Sequence, residues 1–291
     1  MGCPPDVFDA EAEAHVLFAA ALTAAGLAFV REGDLYRLAA RAGAGETTVS
    51  LANAVRDYAR ERDPAVIATF AARVGEVARP GANSIGDPTW AEVEHRVYWM
   101  LEATTTDPGD TLGAPLSPAL RRALVWTSPD EDFYAFITPA QRDRWGIDDA
   151  ALRARADRNQ DALLAGKACA TDELVTEAGA RVAIGMIPVA TGLKASTILA
   201  PSFKAFAQGA VGWPLYAVVP CRDFCLLVGA AAADATPEVF DRLGAITVRE
   251  FTGSGYPLAP ELLRLDDHGI RAVGAFGPVD DGDDGDDGDD A

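Results

Sequence analysis

The chain has few of the residues from which metal sites and cofactor motifs are built. Its 291 residues include four cysteines and three histidines. The cysteines, at positions 3, 169, 221 and 225, form no CxxC pair. Because metal sites need Cys or His ligands at short spacings, we expect no metal, and we expect the cysteines to be buried free thiols. No cofactor fingerprint is present, so we expect no cofactor.

Positive charge is also scarce. The formal net charge is −19 and the sequence pI is about 4.4. Eight of the 44 acidic residues lie in the C-terminal tail, and the remaining 36 against 25 basic residues still leave a net charge of −11. Binding to nucleic acids or anionic membranes needs clustered Lys and Arg. We therefore expect neither nucleic acid nor membrane as a partner.

Long hydrophobic runs and a signal peptide are missing as well. The longest apolar stretch, 205–220, is interrupted by Gln208, Gly209, Gly212 and Pro214, so it is unsuited to crossing a bilayer. The first residues, MGCPPDVFDAEAEA, are acidic and lack a basic segment followed by an apolar one. We expect a cytoplasmic protein.

Periodicity and turn residues predict a fold that mixes helices with hairpins. Val16, Leu17 and Ala20 suggest the apolar stripe of a first helix, and a cap at Thr236 suggests a late one. The expected helices cover 8–26, 53–62, 64–77, 90–101, 139–146, 148–164, 201–208 and 237–251. The expected hairpins cover 27–40, 124–137, 173–188, 215–228 and 261–273.

Hairpins outnumber crossovers, which favours an α+β fold with a mixed, mostly antiparallel sheet and several packed helices. Hydrophobic residue types make up 49% of the chain, enough for a substantial core. We expect a helix/hairpin/helix region at 1–80 and an α+β body at 81–277. The tail at 278–291 has the composition of a disordered segment, because its repeated Asp and Gly have nothing to bury.

The stretch PLYAVVPCRDFCLLVG at 214–229 contains a candidate ligand-binding site. Two apolar runs, which read as buried strands, flank the polar turn Cys221-Arg222-Asp223. Turns between rigid strands often present functional side chains, so Arg222 and Asp223 are candidate ligand-binding residues. The alternative is a local structural pair in which Asp223 hydrogen-bonds the backbone of its own turn.

Two functional hypotheses follow. The first is non-catalytic binding of a protein partner or a small polar ligand, because phosphate-loop, nucleophile and cofactor motifs are missing. The second is a hydrolase-class or transferase-class enzyme with a dispersed site, in which His268, oriented by Asp267, joins Arg222 and Asp223.

Three segments resemble a known bacterial family. They are 49–58 (VSLANAVRDY), 137–164 with its Trp145-Gly146-Ile147, and 217–228 with its Pro-x-Arg-Asp between strands. Together they resemble the YtpQ-like proteins, a family of domains of unknown function, although Val55 replaces the first aromatic residue of that family's helix start. The resemblance implies a cytoplasmic α+β protein without an assigned activity, and it carries over no catalytic residue.

Overall fold

The computed structural model describes residues 5–33, 35–38, 47–77, 88–105, 109–128, 134–254 and 256–277. They form the α+β fold that the sequence predicts, with helices packed on three antiparallel sheets. Within these ranges, no helix is both long enough and apolar enough to cross a bilayer. The acidic tail, the predicted boundary at residue 80 and the turn at 129–133 lie outside the described residues.

The N-terminal unit is a three-stranded sheet with three helices. Its elements are α1 (Pro5–Ala24), β1 (Phe29–Glu32), β2 (Leu35–Leu38), β3 (Thr47–Ser50), α2 (Ala52–Glu61) and α3 (Pro64–Val77), with strand order β1-β2-β3. Its core consists of buried residues drawn only from positions 10–74.

The apolar stripe of α1 differs from the predicted one. Ala10, Ala14, Phe18 and Leu22 recur every four residues and are fully buried, whereas Val16 is 68% exposed. A residue two positions from Phe18 lies about 200° around the helix, so Val16 cannot share the face that contacts the core.

A four-stranded sheet begins the larger body. Its elements are α4 (Trp90–Val93), a 3₁₀ turn (Glu94–Arg96), β4 (Val97–Ala103), β5 (Gly113–Pro115), β6 (Leu120–Thr127), β7 (Tyr134–Phe136), α5 (Pro139–Trp145) and α6 (Asp149–Leu164). The strand order is β4-β6-β5, and β7 also pairs with β6.

The predicted helix at 90–101 is wrong beyond Arg96. Residues 97–102 form a strand that is buried on both faces. The run Val-Tyr-Trp is rich in β-branched and aromatic side chains, which pack well on a sheet. The apparent helical spacing of its apolar residues arose because every position from Val97 to Leu101 is apolar.

A six-stranded antiparallel sheet completes the fold, with strand order β13-β12-β10-β11-β9-β8. Its elements are β8 (Ala170–Val175), β9 (Arg181–Met186), a 3₁₀ helix (Ala195–Leu199), α7 (Phe203–Val211), β10 (Leu215–Cys221), β11 (Phe224–Gly229), α8 (Ala230–Ala235), α9 (Val239–Gly253), β12 (Glu261–Asp266) and β13 (Gly269–Ala275). The largest core joins the two sheets of the body, because it packs Leu101 and Leu120 against Leu215 and Leu227.

The cap predicted at Thr236 is not formed. The helix α9 begins after Glu238 without a side-chain cap, and Thr236 instead ends the short helix α8. Thr138, in contrast, caps α5 by accepting a hydrogen bond of 3.1 Å from the backbone N–H of Gln141.

These two threonines give a matched pair of substitutions. We expect Thr138→Ala to lower the free energy of unfolding by about 1 kcal/mol, because it removes a helix cap. Thr236→Ala is expected to change it by less than about 0.5 kcal/mol. Urea unfolding curves of both variants provide the measurement, and equal losses would contradict the assignment of the caps.

Candidate functional site

The Arg222 side chain lies inside the body rather than on its surface. Its Nη2 is 2.6 Å from Oε1 of Glu102 on β4, and the two side chains are only 11% and 3% exposed. This ion pair joins the β10–β11 turn of one sheet to the C-terminal end of β4, an edge strand of the other sheet. It spans 120 residues of sequence.

Two tyrosine rings enclose the guanidinium. Its central carbon lies 4.5 Å from the ring centroid of Tyr134 on β7 and 4.9 Å from that of Tyr256. At these distances an arginine is attracted to the face of an aromatic ring. We call Arg222, Glu102, Tyr134 and Tyr256 together the Arg222 clasp.

The backbone of the turn is held as firmly as the side chain. The Arg222 carbonyl accepts a hydrogen bond of 2.9 Å from the N–H of Ala195, at the start of the 3₁₀ helix. The Leu258 N–H donates to the Pro220 carbonyl at 2.7 Å, and the N–H of Arg222 donates to the Tyr256 carbonyl at 3.3 Å. The turn is therefore a fixed junction between neighbouring segments.

Burial sets the electrostatics of the clasp. It raises the pKa of the Glu102 carboxyl, an effect that the Arg222 guanidinium reduces but does not cancel. Burial likewise raises the pKa of the Tyr134 phenol. The Arg222 guanidinium and the Tyr134 hydroxyl both donate to the Glu102 carboxylate, so the cluster has the properties of a structural clasp and not of an open reactive site.

The other two predicted site residues lie apart from the clasp. Asp223 is exposed and has no hydrogen-bond or ion-pair partner among the described residues, so the predicted bond to its own turn is not formed. His268 is exposed in the β12–β13 turn, beside the start of β10, because Leu265 pairs with Leu215. Arg222 follows the other end of β10, about 20 Å away. The structure thus does not bring His268 together with Arg222 and Asp223.

A second cluster, at the surface, was not predicted as a site. An open depression of about 310 Å³ lies between the α4 segment and one face of α6. We call it the α6 groove. It is lined mainly by Trp90, Glu94, Ile147, Ala151, Arg155 and Arg158.

Both carboxylates of the α6 groove are already occupied. Glu94 forms an ion pair with Arg155. Asp148, at the end of the groove, caps α6 by accepting a hydrogen bond of 2.7 Å from the Ala151 N–H. Arg158 is exposed and has no partner among the described residues. One guanidinium of the groove is therefore available to a ligand.

The aromatic wall of the groove is held rigidly. The rings of Trp90 and Trp145 lie 5.5 Å apart and pack at 49° to each other. The Trp145 indole N–H donates to the Pro88 carbonyl at 2.7 Å. Trp90 thus presents its ring to the groove from a fixed position.

Sequence reasoning missed the partners of Arg222 and the whole α6 groove. One signal was available: Glu102 stands alone as a charged residue in the strand VYWMLEA, and a buried carboxylate needs a basic partner. For the groove no such signal exists, since exposed arginines on a helix are ordinary.

The described cysteines and acidic residues show no further site. Cys169, Cys221 and Cys225 are free thiols. Cys221 and Cys225 are buried, as predicted, whereas Cys169 is only half-buried, and Cys3 lies outside the described residues. Across the described ranges, no group of three or more His, Cys, Asp and Glu side chains could hold a metal ion.

No protein-family model matches the chain, and no curated protein and no solved structure is significantly similar to it. The resemblance to the YtpQ-like family therefore stays a prediction.

Proposed function

We propose that the protein is a non-catalytic binding protein and that a small polar ligand occupies the α6 groove. One observation carries this proposal: the groove combines a fixed tryptophan ring with the unpartnered guanidinium of Arg158. Its volume of about 310 Å³ is at the lower end of the range for small-molecule sites. A protein partner would need about 800 Å² of contact surface, far more than this depression offers.

The proposal assigns Arg222 a structural role. Its guanidinium is bound by Glu102 and enclosed by two rings, so a ligand would have to break a buried ion pair to reach it. The enzyme hypothesis lacks comparable support, because its imidazole and its guanidinium belong to opposite ends of the sheet.

We also propose that the protein works in the cytoplasm. The described cysteines are unpaired, and free thiols are typical of a reducing compartment.

A small-molecule screen followed by groove-blocking variants tests the proposal. Chemical-shift changes at the Trp90 indole N–H would identify ligands from a library of small polar compounds. Ala151→Leu places an isobutyl group in the groove at an exposed helical position, and we expect it to weaken binding at least tenfold.

Ala150→Leu is the matched control, because Ala150 is exposed on the same turn of α6 but does not line the groove. It should leave both binding and the melting temperature unchanged. If no compound shifts the Trp90 signal, or if both variants bind equally well, the proposed function is wrong.

A further inference from the structure

We infer that the ligand of the α6 groove is an organic monoanion with a planar ring, such as an aromatic carboxylate. This inference rests on the proposed function and adds the chemical class of the ligand. It is built from the charges, the hydrogen-bond donors and the ring that line the groove.

The charge of the ligand follows from ion pairing within the groove. Two arginines and two carboxylates line it, so their formal charges cancel. However, Glu94 is bound to Arg155, and Asp148 is bound to the backbone of α6. Arg158 alone keeps a free guanidinium, whose planar pair of N–H donors matches the two oxygens of a carboxylate.

The free donor of the groove selects for an acceptor group. The Nε–H of Arg155 is buried, so a ligand in the groove meets the exposed guanidinium of Arg158 instead. A guanidinium only donates hydrogen bonds, and it therefore favours a group that only accepts them. A carboxylate is such a group, whereas an amide brings donors of its own.

The Trp90 ring, which also lines the groove, favours a ligand with a planar ring. Trp90 is half-buried, and its ring packs against that of Trp145. Aromatic rings prefer offset-stacked or edge-to-face contacts with other rings. Ala151 and Ile147 line the same groove and add apolar surface beside the ring and the arginines.

The overall charge of the protein limits the ligand to one negative charge. Without the tail, 36 acidic residues face 25 basic ones, which gives a field that repels anions. One free guanidinium compensates one charge. A di- or triphosphate would bring charges that nothing in the groove neutralises.

Titrations of the full-length protein with three probes test the inference. The probes are phenylacetate, its neutral analogue phenylacetamide, and acetate, and the readout is again the Trp90 indole signal. We expect phenylacetate to bind at least tenfold more tightly than either of the other two, because only it has both the charge and the ring. Arg158→Gln should weaken phenylacetate binding about tenfold, the factor for one charge-assisted hydrogen bond, and leave phenylacetamide unchanged.

Arg249→Gln is the control for net charge. Arg249 is exposed on α9, its side chain is 70% accessible, and it lies outside the groove. Equal binding of phenylacetate and phenylacetamide would overturn the inference, as would equal losses in the two arginine variants. If the screen finds a groove ligand but phenylacetate does not bind, the inference fails and the proposed function stands. If nothing binds in the groove, both fail.

Discussion

Replacing Glu102 by leucine is expected to lower the free energy of unfolding by about 3–5 kcal/mol. The substitution leaves the Arg222 guanidinium buried without its anion, 11% exposed and between two tyrosine rings. An arginine cannot release its proton to escape this penalty. The loss is measured by urea unfolding followed by tryptophan fluorescence.

A second substitution should restore much of this loss. In the double variant Glu102→Leu, Arg222→Met both charges are replaced by apolar groups, an exchange that is often neutral in other buried ion pairs. We therefore expect the double variant to be more stable than Glu102→Leu alone. A double variant whose loss equals the sum of the two single losses would show that the pair is not coupled.

The Arg222→Met variant should depend on pH in a way that Glu102→Leu does not. Burial raises the pKa of Glu102, and removing the guanidinium raises it further. The penalty for the buried carboxylate is therefore fully present above this raised pKa, decreases as the pH falls below it, and is gone below the ordinary pKa of a glutamate in the unfolded chain. Unfolding curves of this variant between neutral and mildly acidic pH should converge with those of the wild type.

Asp223→Ala is the matched control for all three variants. Asp223 is the next residue in the turn, but it is exposed and has no partner among the described residues. Its removal should change the free energy of unfolding by less than about 0.5 kcal/mol. A large effect at Asp223 with a small one at Glu102 would reverse the roles that the structure gives them.

Gly229→Ala should also be strongly destabilising. Gly229 is the last residue of β11, and a Cβ atom there would lie 1.9 Å from the carbonyl oxygen of Val211, at the end of α7. The carbonyl belongs to the backbone and the position of the Cβ is fixed by the backbone, so neither a rotamer change nor a small side-chain shift relieves the clash. We expect a loss of about 3 kcal/mol or more in the free energy of unfolding.

Gly209→Ala, two residues before Val211, is the opposite case. Gly209 lies within α7, and a Cβ there would meet no atom within 4 Å. Alanine favours the helix over glycine, so we expect a gain of up to about 1 kcal/mol in the free energy of unfolding. Equal destabilisation of the two alanine variants would contradict the close contact between Gly229 and the end of α7.

Local patterns were sufficient for most of the secondary structure. The buried runs around Arg222 became β10 and β11, and Gly146 ended α5, with the positive φ of 68° that glycine adopts easily. These features depend on residues close in sequence. The segment after Arg96 could not be assigned in this way, because an entirely apolar run has no period that separates helix from strand.

The candidate sites depend on contacts between distant residues, which is why the sequence did not reveal them. Arg222 was identified, but its partners Glu102, Tyr134 and Tyr256 come from other strands and loops. The α6 groove likewise forms only when the α4 segment packs beside α6. No local pattern encodes either arrangement, since the clasp depends on the packing of the two sheets of the body and the groove depends on the packing of α4 and α6 on the four-stranded sheet.

The separate core of the N-terminal unit has a consequence for spectroscopy. All five tryptophans of the chain lie at or beyond position 90, whereas that core is built from residues 10–74. Tryptophan fluorescence therefore reports on the larger body alone, and circular dichroism reports on both parts. The two signals together distinguish changes in the first 77 residues from changes in the rest of the protein.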